Sequence, residues 1–177
     1  MSDTNEIGAG DMASDSLDPQ IFRDGMSRVV SAVHVVTTGG GAGEAGITAT
    51  SVCSVTDSPP TVLVCINRHS RSNEMFKANG TFCINTLPAD AKALADAFAG
   101  RGDMAPADRF ALARWTRLVT GAPVLEDAIA AFDCRILDIR EIGTHTVCYG
   151  TVLAARNGPA GGATLLYADR EYTGFRD

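Results

Sequence analysis

Apolar and polar positions follow two different periods along this chain, and the changes of period mark its elements. Phe22, Met26 and Val29 recur at helical spacing after Asp18-Pro19, an N-cap followed by a first-turn proline, so we expect a helix over 19–31. Further helices are expected over 70–78, 89–99 and 106–114. Runs of β-branched and apolar residues predict strands over 33–38, 47–55, 61–67, 81–87, 129–142, 145–155 and 165–168.

The order of these elements predicts the fold class. Several strands follow one another with no helix between them, whereas a doubly wound parallel sheet alternates strand and helix throughout. A mainly β, largely antiparallel barrel with short peripheral helices therefore fits better.

The glycine-rich stretch 41–46 matches the dinucleotide-binding pattern GxGxxG letter by letter. That pattern works only where a helix begins, because the pyrophosphate lies on the helix N-terminus. Here a β-branched stretch over 47–52 follows, so we interpret 41–46 as a hairpin loop.

Charge and cysteine usage limit the classes of function. Residues 1–18 carry five acids and no Lys or Arg, which predicts a disordered acidic tail ahead of one domain over 19–177. The net charge of −6 argues against nucleic-acid binding and against docking on anionic lipid. No apolar run is long enough for a membrane helix, and no signal peptide is evident, so we expect a cytoplasmic protein. The five cysteines lack CxxC spacing, which favours free thiols over a metal site.

Three segments place small polar residues beside predicted strands: 48–54, 67–72 and 143–145. The first offers backbone groups and hydroxyls to a flat ligand, the second suits a phosphate, and the third holds His145 at a strand junction. Each taken alone is also compatible with an ordinary edge strand, polar turn or rim residue. No nucleophile–base spacing is evident, which suggests that a bound cofactor carries the chemistry.

Together these segments resemble the short-chain flavin reductases, which include the reductase component of 4-hydroxyphenylacetate 3-monooxygenase and the flavin reductase of pyrimidine utilisation. The resemblance rests on blocks at 22–38, 46–67, 79–87, 98–110 and 141–152, in the family's order. It implies a split β-barrel of Greek-key, FMN-binding type, a homodimer, FMN or FAD as flavin, and NADH or NADPH as hydride donor. It also implies hydride transfer from nicotinamide C4 to flavin N5 and delivery of reduced flavin to a separate monooxygenase.

The resemblance further implies roles for individual residues. The isoalloxazine would face backbone groups of four consecutive residues, Thr48, Ala49, Thr50 and Ser51. The same edge would continue with Cys53 and Ser54. The ribityl chain and phosphate would lie near Asn67, Ser70 and Ser72. The nicotinamide side would lie near Phe98 and His145, and the closing segment would contribute Tyr172. The roles of Arg68 and Arg71 stay open. Two alternatives also remain, an oxidase of the same barrel class that retains its flavin and a non-enzymatic flavin-binding module.

Overall fold

The computed structural model describes residues 17–174, so the predicted acidic tail over 1–18 lies almost wholly outside the described residues. Within these residues the chain forms four short helical segments: α1 (Pro19–Ser27), α2 (Asn73–Asn79), α3 (Lys92–Phe98) and a 3₁₀ helix (Asp108–Leu112). The strands are β1 (Ser31–Ala32), β2 (His34–Thr38), β3 (Ala45–Ala49), β4 (Val52–Asp57), β5 (Pro60–Asn67), β6 (Thr81–Thr86), β7 (Trp115–Arg117), β8 (Pro123–Leu125), β9 (Ala130–Ile142), β10 (His145–Asn157), β11 (Leu165–Ala168) and β12 (Glu171–Gly174).

The main sheet has seven strands in the order β3-β2-β6-β9-β10-β5-β4, and every pairing within it is antiparallel. Its two edge strands, β3 and β4, are joined by Thr50 and Ser51 alone. A flat sheet would hold these edges about 29 Å apart, at about 4.8 Å per strand, whereas so short a link spans only about 11 Å. The sheet must therefore curl until its edges meet, which confirms the barrel-type fold predicted from the sequence.

The predicted strand over 47–55 is wrong as a single element, because the chain changes partner within it. β3 pairs with β2, whereas β4 pairs with β5 on the other edge of the sheet. The turn between them is held by Val52 N–H donating to Thr50 O at 3.0 Å and by Cys65 N–H donating to Ser51 O at 3.0 Å. The β-branched pattern runs on through this turn, which is why periodicity alone does not reveal it.

Two further boundaries differ from the prediction. α1 ends at Ser27, four residues early, because Ser31 and Ala32 pair with β11 and start a three-stranded sheet of β1, β11 and β12. The small β7–β8 ribbon was not predicted, since its strands of three residues are too short to show a period. The glycine loop forms the β2–β3 hairpin, as interpreted, and no helix follows it.

Two apolar clusters fill the domain. One lies inside the curled sheet around Phe76, Phe82 and Ile66, where a Cβ on Gly150 would lie 2.4 Å from Phe82 Cζ. The other packs α3 and the β8 region against the sheet through residues such as Phe98 and Leu125. No helix within residues 17–174 is long and apolar enough to cross a membrane.

Candidate functional site

A cleft of about 600 Å³ opens beside the junction of the two sheet edges. Three parts of the chain line it: the middle of β3, the segment that leaves β5, and the loop between α3 and the 3₁₀ helix. Five of the residues singled out in the sequence meet here, namely Thr48, Asn67, Ser70, Ser72 and Phe98. The fold therefore gathers into one cavity residues that lie up to 50 positions apart.

The β3 side of the cleft combines an edge strand with an aromatic cluster. Within the described residues β3 pairs only with β2, so one row of its backbone N–H and C=O groups is free of the ladder. Thr48 Oγ1 donates to Ala95 O at 2.6 Å, which ties this strand to α3. The ring of Phe98 covers Gly46, since a Cβ built there would lie 2.5 Å from Phe98 Cε1. A glycine at position 46 is therefore what lets the ring approach the strand.

Phe98 is itself fixed by two neighbouring rings. Its centroid lies 5.1 Å from that of Phe110 and 5.8 Å from that of Trp115, and both contacts are edge-to-face. Trp115 Nε1 also donates to Phe110 O at 2.9 Å. Such aromatic pairs add to the stability gained from burial alone. This cluster joins the 3₁₀ helix to the β3 side of the cleft.

The segment leaving β5 contributes polar groups. Asn67 Oδ1 accepts from His69 N–H at 2.9 Å, and Ser70 Oγ accepts from Ser72 N–H at 3.3 Å. The Ser72 hydroxyl makes no hydrogen bond within residues 17–174, although it is half-buried. Arg71 between them is exposed on the same surface. Within the described residues, the Ser72 hydroxyl and the Arg71 guanidinium are therefore not used by the fold and are free to bind a ligand.

The loop between α3 and the 3₁₀ helix forms the remaining wall. Gly100 and Gly102 have positive φ values of 74° and 89°, which other residues adopt at a cost. Arg101 pairs with Asp96 at 2.9 Å at the start of the loop, and Arg109 lines the cleft at its end. Asp103 is the one carboxylate among the lining residues, against the two guanidinium groups of Arg71 and Arg109. The cleft is therefore locally cationic in a chain of net charge −6.

Comparison with known proteins identifies the family. The flavin reductase-like domain family matches residues 26–176. This chain belongs to that family. It is 54% identical over 151 residues to a protein of Methylorubrum extorquens named FMN reductase (NADH) RutF 2, covering 85% of this chain and 86% of that protein. It is 49% identical to FMN reductase (NADH) RutF of an Enterobacter species, covering 89% of this chain and 94% of the relative.

Solved structures agree with the family assignment. The NADH:FAD oxidoreductase SgcE6 of Streptomyces globisporus superposes with a TM-score of 0.81 at 30% identity, covering 93% of each chain. BorF, the flavin reductase component of a bacterial two-component tryptophan halogenase, superposes with a TM-score of 0.82 at 29% identity, covering 90% of this chain and 99% of that chain.

In this flavin reductase-like chain, His145 lies close to the cleft without lining it. It is the first residue of β10 and stands directly opposite Asn67 of β5. Its ring is exposed, and Nδ1 lies 3.0 Å from Thr144 Oγ1. The adjoining turn is fixed by Arg68, whose Nη1 donates to Gly143 O at 3.2 Å and whose Nη2 pairs with Glu141 at 3.0 Å. Arg68 is thus engaged with this turn, whereas Arg71 faces the cleft.

The other singled-out residues lie outside the cleft. Ala49, Thr50 and Ser51 form the junction of the two sheet edges, next to Thr48, and Cys53 is exposed on β4. Tyr172 lies on β12 against Tyr167, with the Lys92 ammonium 5.3 Å and the Arg101 guanidinium 5.4 Å from its ring centroid. Tyr172 packs on the apolar cluster that contains Phe98 and lies next to Arg101 at the start of the loop, but it does not itself line the cleft.

Ser54 lines a second cavity, an apolar groove of about 510 Å³ between β4, β5 and β10. His34 also lines this groove, and its Nδ1 lies 3.1 Å from Thr86 Oγ1. Burial lowers the pKa of His34 to about 4, because the charged imidazolium would lose its hydration there. No group of three or more His, Cys, Asp or Glu within residues 17–174 is arranged to hold a metal ion.

Arg109 and Asp103 are charged cleft residues that the sequence analysis did not single out. Residues 98–110 stood out as a family-like block, but Arg109 was not separated from the other charged residues of that block. The available signal was its position beside Phe110, at the end of a segment rich in Gly and Pro. Such a loop followed by an aromatic anchor is typical of a binding loop held on a rigid base.

Proposed function

We propose that this protein is an NADH-dependent flavin reductase that uses FMN and supplies the reduced flavin to a separate monooxygenase component. The observation that carries the proposal is the single cleft in which Thr48, Asn67, Ser70, Ser72 and Phe98 meet. The relatives named FMN reductase (NADH) support the choice of FMN and NADH over FAD and NADPH. The neighbour named as a component of a two-component halogenase supports delivery to a partner enzyme.

The residues present suit a flavin. The free backbone row of β3 can hydrogen-bond to the edge of the ring system, and Ala49, Thr50 and Ser51 extend that surface. Cys53 and Ser54 follow on β4, outside the cleft, and Ser54 lines the second groove instead. The unpartnered Ser72 hydroxyl, together with Asn67 and Ser70, offers groups to the ribityl chain and phosphate. The bound flavin would supply the redox chemistry, accepting at N5 the hydride from nicotinamide C4.

Phe98 and His145 are proposed for the nicotinamide side. Phe98 is held by two further rings and is only 3% exposed, so it would fix the shape of this wall from behind rather than cover the reacting face itself. His145 stands opposite Asn67 and can reach the mouth of the cleft from the β10 end. Tyr172 is proposed to act at a distance, by fixing Arg101 at the start of the loop.

Anaerobic stopped-flow mixing of the purified protein with NADH and FMN tests the proposal. Saturable bleaching of the flavin band near 450 nm, with no organic substrate present, is expected. Flavin binding without bleaching would instead indicate the binding module, and bleaching that needs a further organic substrate would indicate the oxidase.

The variant Ser72→Ala refines this test. It removes one hydroxyl that is free to bind the ligand, and loss of a hydrogen bond to a charged group is worth about 1.5–3 kcal/mol. The KM for FMN should rise by roughly tenfold or more. Thr173→Ala, which removes an exposed hydroxyl on β12, is the control and should leave the KM unchanged.

We also propose a homodimer that buries the second groove. Leu153, 36% exposed, lines this groove, and Val55 and Leu137, 46% and 64% exposed, line an adjacent cavity that shares Thr56 and Thr61 with it. Exposed apolar surface of this kind is typical of an interface. Sedimentation equilibrium should give twice the 18.5 kDa of the chain. Leu153→Asp should shift the mass to that of one chain, whereas Leu112→Asp, 48% exposed elsewhere, should not.

We assign the protein to the cytoplasm. All five cysteines are free thiols, which suits a reducing compartment. Fractionation of cells that express the chain should find it with soluble cytoplasmic markers, and recovery in an oxidising compartment would contradict this assignment.

A further inference from the structure

Asn73 is a polar residue buried in an apolar part of the domain. Asn73 and Phe76 are the two buried residues of α2, and Phe76 belongs to the apolar cluster inside the curled sheet. Asn73 Nδ2 donates to Thr146 Oγ1 at 3.0 Å, and the fully buried Thr146 hydroxyl donates back to Asn73 Oδ1 at 3.4 Å. Burial of an amide and a hydroxyl is costly even when they bond to each other, so packing alone would favour apolar residues at both positions.

This buried pair joins two strand ends that carry candidate site residues. Thr146 follows His145 at the start of β10, and it stands opposite Ile66, which precedes Asn67 at the end of β5. Asn73 Nδ2 also lies 3.4 Å from Ile66 O. The Asn73 side chain therefore contacts both strands one residue behind the polar residues at their ends.

Asn73 also fixes the start of α2, because the usual capping contact is missing there. Ser72 occupies the N-cap position, but its hydroxyl makes no capping hydrogen bond. An N-cap side chain ordinarily holds the first turn of a helix. Here Asn73 N–H donates to Ser70 O at 3.0 Å, while its side chain bonds to β10. Ser70 and Ser72 line the cleft and Asn73 does not, so the anchoring residue and the cleft residues are separate.

One other side-chain pair links the same region on the outside. Arg68 Nη2 pairs with Glu141 at 3.0 Å, with the two side chains 45% and 41% exposed. Ion pairs as exposed as this one contribute little to stability. A buried and fully satisfied polar pair, in contrast, makes a structure rigid and specifies one arrangement. The pair of Asn73 and Thr146 is therefore the stronger link between α2 and β10.

We infer that Asn73 is a positioning residue, which through its buried bond to Thr146 holds Ser70 and Ser72 in fixed register with His145. It does not line the cleft, so it acts only through the residues that it anchors. The inference rests on the proposed function for the identity of the ligand that Ser70 and Ser72 would bind. The anchoring itself is a property of the chain and can be measured without any ligand.

Amide hydrogen exchange measures the anchoring directly. Thr146→Val removes the hydroxyl and keeps the shape of the side chain. We expect exchange over 67–73 to become faster by roughly tenfold, the factor that corresponds to loss of one buried hydrogen bond. Glu141→Gln weakens only the exposed ion pair and should change this exchange by less than about threefold. Unchanged exchange over 67–73 in Thr146→Val would overturn the inference.

The KM for FMN tests the consequence for the cleft, at a temperature where every variant is folded. Thr146→Val should raise it by roughly three- to tenfold, the range that the net contribution of one hydrogen bond allows, and Thr146→Ser, which keeps the hydroxyl, should restore it. Asn85→Ala is the matched control, because Asn85 is equally buried and bonds to Val35 O and Leu125 N–H, neither of which lines the cleft. Asn85→Ala should lose stability and keep its KM. Faster exchange with an unchanged KM in Thr146→Val would overturn the inference.

A double variant separates positioning from stability. Asn73→Leu combined with Thr146→Val replaces both partners by apolar side chains of similar shape, so the stability lost in Thr146→Val should largely return. The KM for FMN should stay raised, because apolar packing does not specify the register of α2. A KM that returns together with the stability would show a merely structural pair and overturn the inference.

Failure of the proposed function can be told apart from failure of this inference. A wild type that binds FMN but does not oxidise NADH would count against the proposed function, and the dissociation constant for FMN, measured by flavin fluorescence, then replaces the KM. A wild type that does not bind FMN would also count against the proposed function. The exchange measurement, which needs neither FMN nor NADH, then decides the inference alone.

Discussion

Replacement of Gly46 by alanine tests whether Phe98 is fixed against β3. The added Cβ would lie 2.5 Å from Cε1 and 2.7 Å from Cδ1 of the Phe98 ring, well inside van der Waals contact. The ring cannot simply turn away, because Phe110 and Trp115 pack on it edge-to-face. Either the strand or the whole aromatic cluster must shift.

The size of the effect follows from overpacking. Extra methyl groups in a well-packed region destabilise proteins by about 1–3 kcal/mol. For a domain of this size that corresponds to a Tm lower by about 3–9 °C. Urea unfolding followed by far-UV circular dichroism measures the free energy, and thermal unfolding gives the Tm. Because Phe98 lines the cleft, the KM for FMN should rise in the same variant.

Gly41→Ala is the matched control. Gly41 lies in the β2–β3 hairpin, has no left-handed φ, and has open space where the Cβ would go. Its replacement should leave stability unchanged or raise it by up to about 1 kcal/mol, because alanine restricts the unfolded chain. If Gly46→Ala proves as stable as Gly41→Ala, Phe98 is not held over the strand as described.

Three other predictions concern buried groups. In the folded protein the pKa of His34 is about 4, below the ordinary value near 6.5. The free energy of unfolding should therefore fall by up to about 3 kcal/mol as the pH drops from 6.5 toward 4. His34→Gln should flatten this pH dependence in urea titrations. Asn85→Ala should cost about 2–4 kcal/mol in the same assay, because Asn85 Oδ1 accepts from Leu125 N–H at 2.8 Å and its loss leaves that donor buried and unpaired. A thiol reagent should modify the exposed Cys53 fast. It should modify the buried Cys134 only on unfolding, because burial raises the pKa of that thiol to about 12. A fast phase that survives Cys53→Ser would contradict this.

The local pattern of the chain was enough to predict most strands and the class of fold. Strands such as β5 and β6 are bounded by Pro and Gly signals, and their apolar runs match burial on both faces. Periodicity could not show that β3 and β4 belong to opposite edges of the sheet, because the choice of partner strand is a long-range property. The early end of α1 has the same cause, since β1 is defined only by its pairing with β11.

The candidate site was predicted in part. Thr48, Asn67, Ser70, Ser72 and Phe98 were singled out and do share the cleft. Arg109 was missed because a surface arginine and an arginine with an unpartnered buried Nε look identical in sequence. Ser54 and Tyr172 lie elsewhere, on the second groove and on β12, because alternate residues of a strand face opposite sides and the last strands form a separate sheet.

The two-residue link between β3 and β4 also protects the protein from self-association. An open seven-stranded sheet would present two unpaired edges, each a template on which another chain could add a strand and begin an aggregate. Thr50 and Ser51 tie the two edges together at one end, and the unpaired row of β3 borders the cleft, so a neighbouring molecule finds little free edge to extend. Surface loops usually tolerate inserted residues, but lengthening this one would let the edges separate. Chains lengthened at this point should therefore aggregate, whereas the same insertion in the turn over 158–162 should not.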